Sequence, residues 1–277
     1  MEKKLLDRPF FAGILIPIGL VLLAVMIIWG VTKMLTVERT HRDLIAELHS
    51  KNFGNRWISA YELAKLFSNS KIPETEKEWV IAELTQILKT SDDVRTQNFI
   101  ILSLGSLKDT RTLPALMQGM ESPDPQVKLN AVVALGNLPL GVDFDFEKLI
   151  NLAKEAKETA DDPLFIAVLL GLAQHKALVG VNLLEEELDS SSLGVRYAAA
   201  TGLIAYKNAK SLPVLQEIFE SKMESQDFIF QTQKNILQTI QREEWQDALP
   251  LVKKFVMHTV NPELKIMAQQ TLILLKK

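Results

Sequence analysis

Cysteine is absent from the 277 residues, which excludes disulfides, cysteine-ligated metals and thiol chemistry without naming a compartment. An excess of either charge is also lacking. With 31 basic and 34 acidic residues the net charge is −3, which speaks against a general nucleic-acid surface. Histidine is scarce: His41, His49, His175 and His258 are scattered, and none is followed by glutamate. No phosphate-cradling Gly-x-x-x-x-Gly-Lys loop, dinucleotide Gly-x-Gly-x-x-Gly turn or Gly-x-Ser-x-Gly nucleophile elbow is present. Glycosylation sequons and lipidation motifs are missing too. These absences leave no catalytic residue, cofactor site or metal site to nominate, and the chain reads as a non-enzyme.

What is present is repetition. Leu102, Leu135, Leu172, Leu203, Leu237 and Leu272 recur every 31 to 37 residues and form the expected repeat core. Eight residues before each stands an apolar anchor: Val94, Val127, Leu164, Val195, Ile229 and Leu264. Positions four, seven, eight and eleven after the anchor fall on one face of an α-helix. In most copies the residues at plus four and plus seven are small, which suits close approach of a neighbouring helix. A preceding helix is expected over Trp79–Lys89, Thr112–Met120, Phe146–Ala156, Val181–Leu188, Ser211–Phe219 and Asp247–Met257, from leucine, isoleucine and valine at helical spacing. Between the two helices lie turn residues such as Ser122-Pro123-Asp124-Pro125 and Asn261-Pro262-Glu263. They can satisfy the unpaired amides of a helix start, and proline is tolerated there. The unit is a helical hairpin.

These residues resemble the HEAT-repeat family in its short bacterial form. The likeness rests on Asp93-Val94-Arg95 with Leu104-Gly105, Val127-Lys128 with Ala134-Leu135-Gly136, Val195-Arg196 with Ala198-Ala199-Ala200, and the first-helix prolines Pro114, Pro213 and Pro250. The third copy departs with Leu164-Phe165 and the fifth with Ile229-Phe230, while Arg56 to Ala64 reads as a degenerate leading copy. The resemblance implies an all-α, right-handed α-solenoid of about six to seven hairpins over residues 56–277, with second helices lining its concave side. It also implies a ladder in which the acidic turn residue of one repeat pairs with the basic residue of the next. Pro139 to Phe146 and Lys157 to Asp162 lengthen the third copy as edge loops.

The N-terminus carries a second signal. Residues 9–32 have no charge and are rich in isoleucine, leucine and valine, long enough to cross a bilayer as a helix. The reading is a tail at 1–8, one transmembrane helix at 9–35 and a juxtamembrane helix and linker at 36–55. A cleaved signal peptide is the rival, although the stretch is long for one and no small-x-small cleavage pattern follows. Within 36–55, Thr40 is expected to cap a short helix with Asp43 three residues on, and Lys51 to Asn55 to form a joint. Basic residues flank the span evenly, so orientation rests on its likeness to an uncleaved export signal. The expected localisation is therefore single-pass in a membrane, with the repeats outside the cytoplasm.

Candidate partner-binding residues are Phe99, Phe165, Tyr197 and Phe230 with Gln97 and Gln231, joined by Gln233, because all lie on second helices. The alternative is that these aromatics simply pack between repeats. Phe144 and Phe146 form either a contact tip or a tucked loop, and His175 is read as a packed histidine. The function these features imply is a membrane-anchored scaffold for a membrane-associated protein, with the bilayer contacted through 9–35 and no nucleic acid or metal. The other reading is an enzyme or chromophore carrier resembling the phycobilin lyases, although no residue of that branch maps here. A resemblance to HEAT-type deoxyhypusine hydroxylases would require repeated His-Glu pairs, and one to HEAT-like DNA glycosylases a basic, aromatic-lined groove.

Overall fold

A computed structural model of the chain describes residue 26 and residues 39–50, 53–221 and 226–276. Among the described residues every regular element is helical. The chain divides into two compact units, Met1–Leu44 and Ile45–Lys277. Within the first, Thr40 and Asp43 cap each other as expected. The Thr40 hydroxyl and amide donate to Asp43 Oδ2 at 2.7 and 3.0 Å, and the Asp43 amide donates back to Thr40 Oγ1 at 3.3 Å. The helix they open is α1 (His41–Leu48).

The second unit contains α2 (Phe53–Asn69) and then six hairpins. They are α3 (Glu74–Thr90) with α4 (Val94–Ser106), α5 (Leu113–Met120) with α6 (Pro125–Gly136), and α7 (Glu147–Glu158) with α8 (Asp162–Gln174). Next come α9 (Val181–Glu186) with α10 (Leu193–Leu203), α11 (Leu212–Glu220) with α12 (Gln226–Glu243), and α13 (Leu249–His258) with α14 (Pro262–Leu275). The joint expected at Lys51 to Asn55 falls partly outside the described residues, and residues 53–55 are already helical. Second helices start on caps the sequence supplies: Asp124 accepts from the amides of Gln126 and Val127, Asp161 from Leu164, and Asn261 from Glu263 and Leu264. Asp93 departs from this pattern, because its carboxylate is taken by the Thr96 hydroxyl at 2.6 Å and by Arg95 at 3.2 Å.

The second helices form a row. α2 packs on α4, α4 on α6, α6 on α8, and α8 on α10, while the first helices pack chiefly on their own partners, except α11, which leans more on α10 than on α12. Small residues set the spacing: a Cβ added at Gly105 of α4 would stand 2.5 Å from Ala134 Cβ of α6. Leu135, Leu172, Leu203 and Leu237 are fully buried. Leu102 and Leu272 are only half-buried. In α4 the register differs from expectation by two residues. Val94 is exposed, and Thr96, Ile100 and Leu104 occupy the places that Val127, Ala131 and Leu135 hold in α6. The reason is where the helix starts: Leu104 and Leu135 both lie eleven residues beyond the aspartate that precedes their helix, Asp93 and Asp124. Leu272 has the same offset from Asn261, but α14 is the last described helix of the row and no further one stacks upon it.

Turns out of the helices use left-handed backbone at non-glycine residues. Lys108, Lys176, Lys207 and Glu244, at φ of 50, 52, 52 and 49°, follow the ends of second helices, and Ala160 at 54° follows α7. A left-handed L-residue costs roughly 1–2 kcal/mol, a cost that glycine avoids. Glycine also loses more chain entropy on folding, so Lys207→Gly is expected to stabilise the domain by about 0.5–1 kcal/mol net. Urea unfolding of the two proteins checks this, and an unchanged or lowered midpoint contradicts it.

The membrane expectation is corrected here. Crossing the hydrocarbon core takes about 20 mostly apolar residues in one helix. Among the described residues no helix is long and apolar enough to cross a membrane. The longest, α2, α3 and α12, have 17, 17 and 18 residues and carry charges along their length. A single-pass membrane localisation, with the repeats outside the cytoplasm, is therefore withdrawn, and lipid contact with it. Apart from residue 26, the apolar stretch at 9–35 lies outside the described residues.

Candidate functional site

The row of second helices offers two aromatic or apolar surfaces. At its start, Trp57 and Tyr61 of α2 meet Phe99 of α4, with ring centroids 6.4 and 5.3 Å apart, and the Arg95 guanidinium stands 5.4 Å from the Trp57 ring. Tyr61 remains 47% exposed, whereas Phe99 is half-buried beneath it. Further along, α8, α10 and α12 enclose a groove of about 600 Å³. Its floor is small (Gly194, Ala198 and Gly202), its walls are Ile166, Leu170 and Phe228, and its rim carries Gln174, Asn235 and Gln238. Among the described residues no carboxylate lines it, and Arg242 is the one charged side chain that does.

The other nominated residues are placed differently from one another. Phe165 and Tyr197 are buried, at 4% exposure each. The Tyr197 hydroxyl donates to Glu217 at 3.2 Å, and burial, reinforced by the Glu217 charge, pushes its ionisation upward. Phe230 is half-buried, with the Lys234 ammonium 5.7 Å from its ring centroid; Lys157 stands likewise 5.9 Å from Phe165. Lysines from neighbouring positions thus cover the two phenylalanines that replace the basic residue. Gln97 is half-buried and donates to the Ser91 carbonyl at 2.6 Å, buried Gln233 donates to Ile218 O at 2.9 Å, and Gln231 is exposed. Of the nominated set, Phe99 joins the exposed aromatic cluster and Tyr197, though buried, lines the groove.

Residues that the sequence reading passed over do more of the lining: Tyr61, Ile166, Leu170 and Phe228, the last 50% exposed. Their signal was available as spacing. Phe228, Thr232, Asn235, Thr239 and Arg242 step by four and three residues along α12.

Polar contacts elsewhere are structural. His175 Nε2 stands 2.8 Å from Leu135 O and its ring 5.2 Å from that of Phe146, which itself packs edge-on against Phe144. The inserted loop is therefore tucked. Burial pushes the Tyr206 hydroxyl up to about 12, and the group bridges the carbonyls of Leu172 and Ala177 at 3.0 Å each. Ion pairs do link repeats, but the basic residue reaches a first helix or a later turn: Lys128 meets Glu155, Arg196 meets Glu217 and Lys234 meets Glu263. Arg95 pairs instead with Asp93 of its own turn. Among the described residues no group of three or more histidines and carboxylates could hold a metal ion.

Buried Glu243, next to Arg242 at the end of α12, accepts from Lys176 Nζ at 2.6 Å and Arg242 Nε at 3.1 Å. Burial pushes its carboxyl up, but those hydrogen bonds and charges outweigh it and hold the group below its ordinary value of 4.5. A carboxyl depressed in the folded state adds stability above its unfolded pKa and loses it as pH falls through the folded value. Acid unfolding should thus steepen below about pH 4.5, and Glu243→Gln should flatten that limb. Identical limbs in titrations of the unfolding midpoint for the two proteins would count against this.

Residues 81–163 match the family described as HEAT repeats. The repeats are HEAT-like. Beyond that match, the HEAT-like row is similar to the complex of CpcE and CpcF of phycocyanin lyase from Nostoc sp. PCC7120. The identity is 17%, with a TM-score of 0.61, over 86% of this chain and 95% of that one. The Escherichia coli protein YibA is similar at 16% identity and TM-score 0.49, over 84% and 81% of the two chains. A designed armadillo repeat protein follows at 15% and 0.44, over 85% and 100%. The CpcE–CpcF likeness shows a shared all-helical repeat fold and nothing about activity. No curated protein matches the sequence.

Proposed function

We propose that the HEAT-like array is a non-catalytic scaffold that holds a protein partner along its second helices. The observation that carries this is the character of that row. Tyr61, Val133, Phe228 and Ile273 stay 45–64% exposed on four different second helices. Scattered exposed hydrophobics need no explanation, but a series along one face of a stacked array makes a long recognition surface. HEAT repeats typically mediate protein–protein interaction, which supports the same reading. The expected result is that the tagged full chain recovers a stoichiometric partner from its native cells. Tyr61→Asp combined with Val133→Asp should cut that recovery at least fivefold while leaving the far-UV circular dichroism unchanged. Undiminished recovery would place the partner elsewhere on the molecule.

A chromophore carrier resembling the phycobilin lyases is the second reading, favoured by one observation: a 600 Å³ groove lies within the size range of small-ligand sites. It predicts absorbance of the purified protein above the aromatic band, and a colourless protein that takes up no added bilin removes it.

A further inference from the structure

The row of second helices is interrupted at one place. α12 packs on the short turn Ile204–Tyr206 that continues α10 and hardly on α10 itself, whereas α4, α6, α8 and α10 stack directly on one another. The gap left between α10 and α12 is the 600 Å³ groove. Each helix around it presents a straight stripe. α10 and its continuation show Gly194, Ala198, Thr201 and Ala205, spaced by four, three and four residues. α12 shows Phe228, Thr232, Asn235, Thr239 and Arg242 in the same rhythm. Ile166, Leu170 and Ala173 of α8 begin the same sequence of steps.

Alternation of three and four is the spacing at which one helix meets another side by side. The α12 stripe spans 14 residues, about 21 Å at 1.5 Å per residue, so the space is as long as a helix of about four turns. The glycines of its floor seat α10 against the chain's own helices, since a Cβ at Gly202 would stand 3.1 Å from Ala173 Cβ of α8 and 3.0 Å from Leu184 Cδ2 of α9. The small Ala198 and Thr201 beside them leave the groove open. Phe228 at one end is half exposed. Arg242 lies at the other, 64% exposed and engaged by Glu243 through Nε, with no acidic residue among the described residues of the groove walls.

We infer that this groove receives one α-helix of the partner protein, apolar on the face laid against α8, α10 and α12, with an acidic side chain at the end that meets Arg242. The inserted helix supplies the layer missing from the row. This deepens the scaffold reading and rests on it.

The test uses the full chain and two fluorescent 18-residue helical peptides, leucine and alanine at the contact positions, one ending in glutamate and the other in lysine. The glutamate peptide should bind at least tenfold tighter than the lysine peptide, and Arg242→Glu should reverse that order. Thr201→Phe, which fills the floor, and Asn235→Trp, which blocks the rim, should each weaken binding at least tenfold with the circular dichroism unchanged. Absence of binding by both peptides, or equal binding to the wild type and both blocked variants, overturns the inference. In native cells a photocrosslinker at Thr232 should capture an amphipathic, acid-ended helix. Capture of a second copy of this chain, or of a small amphiphile, overturns it as well. A partner captured from Tyr61 but not from Thr232 overturns the groove while sparing the scaffold; capture from neither position overturns both.

Discussion

Gly105→Val is expected to destabilise the repeat domain by about 3 kcal/mol, at the upper end of the range for forcing extra methyl groups into a packed interior. The first added carbon alone would stand 2.5 Å from Ala134 Cβ and 3.0 Å from Ala134 Cα. A side chain can rotate away, but the α-carbon of a neighbouring helix cannot, so α4 and α6 must separate. In a stacked array that separation also loosens the layers on either side, because each repeat is stabilised by its neighbours. Valine for glycine improves helix propensity by a few tenths of a kcal/mol, too little to offset the clash. Gly54→Val is the control: a Cβ there meets nothing within 4 Å. Chemical denaturation of both variants decides the matter, and comparable midpoints for the two would show that the α4–α6 approach is not tight.

Leu104→Ala is the second large effect, expected at about 3 kcal/mol, within the 2–5 kcal/mol found when a fully buried leucine is truncated. Leu104 is completely buried, as is Leu135 in the equivalent place of α6. Leu102→Ala should cost only about 1 kcal/mol, because its side chain is half-buried and solvent can fill part of the space it leaves. The pair tests the register of α4 directly. If Leu102→Ala proved the more damaging of the two, the helix would be turned from the position described.

The alternation of helices and turns was legible because its causes are local. Heptad-like spacing, an aspartate or asparagine before a helix and a proline in its first turn act over a few residues, and Asp124, Asp161 and Asn261 cap as their sequence positions suggest. Thr40 and Asp43 are equally local. The register of α4 was misread because Val94 and Leu102 also fit a helical stripe, and only the helix start just after Asp93 distinguishes the two phases. Candidate binding residues fared unevenly for a different reason. Whether an aromatic on a second helix is exposed depends on which side chain or helix folds over it, as Lys157 of the first helix of the same hairpin covers Phe165.

By itself, then, the chain determined that it is an array of helical hairpins, where the second helices with an aspartate or asparagine cap start, and that small residues stand where helices meet, since all of these follow from short-range pattern. Only the tertiary structure decided that Tyr197 and Phe165 face inward, that Tyr61 and Phe228 face outward, and that α10 and α12 part to leave a groove. Those outcomes depend on side chains tens of residues apart competing for the same space, and no periodicity within one helix records which of them prevails.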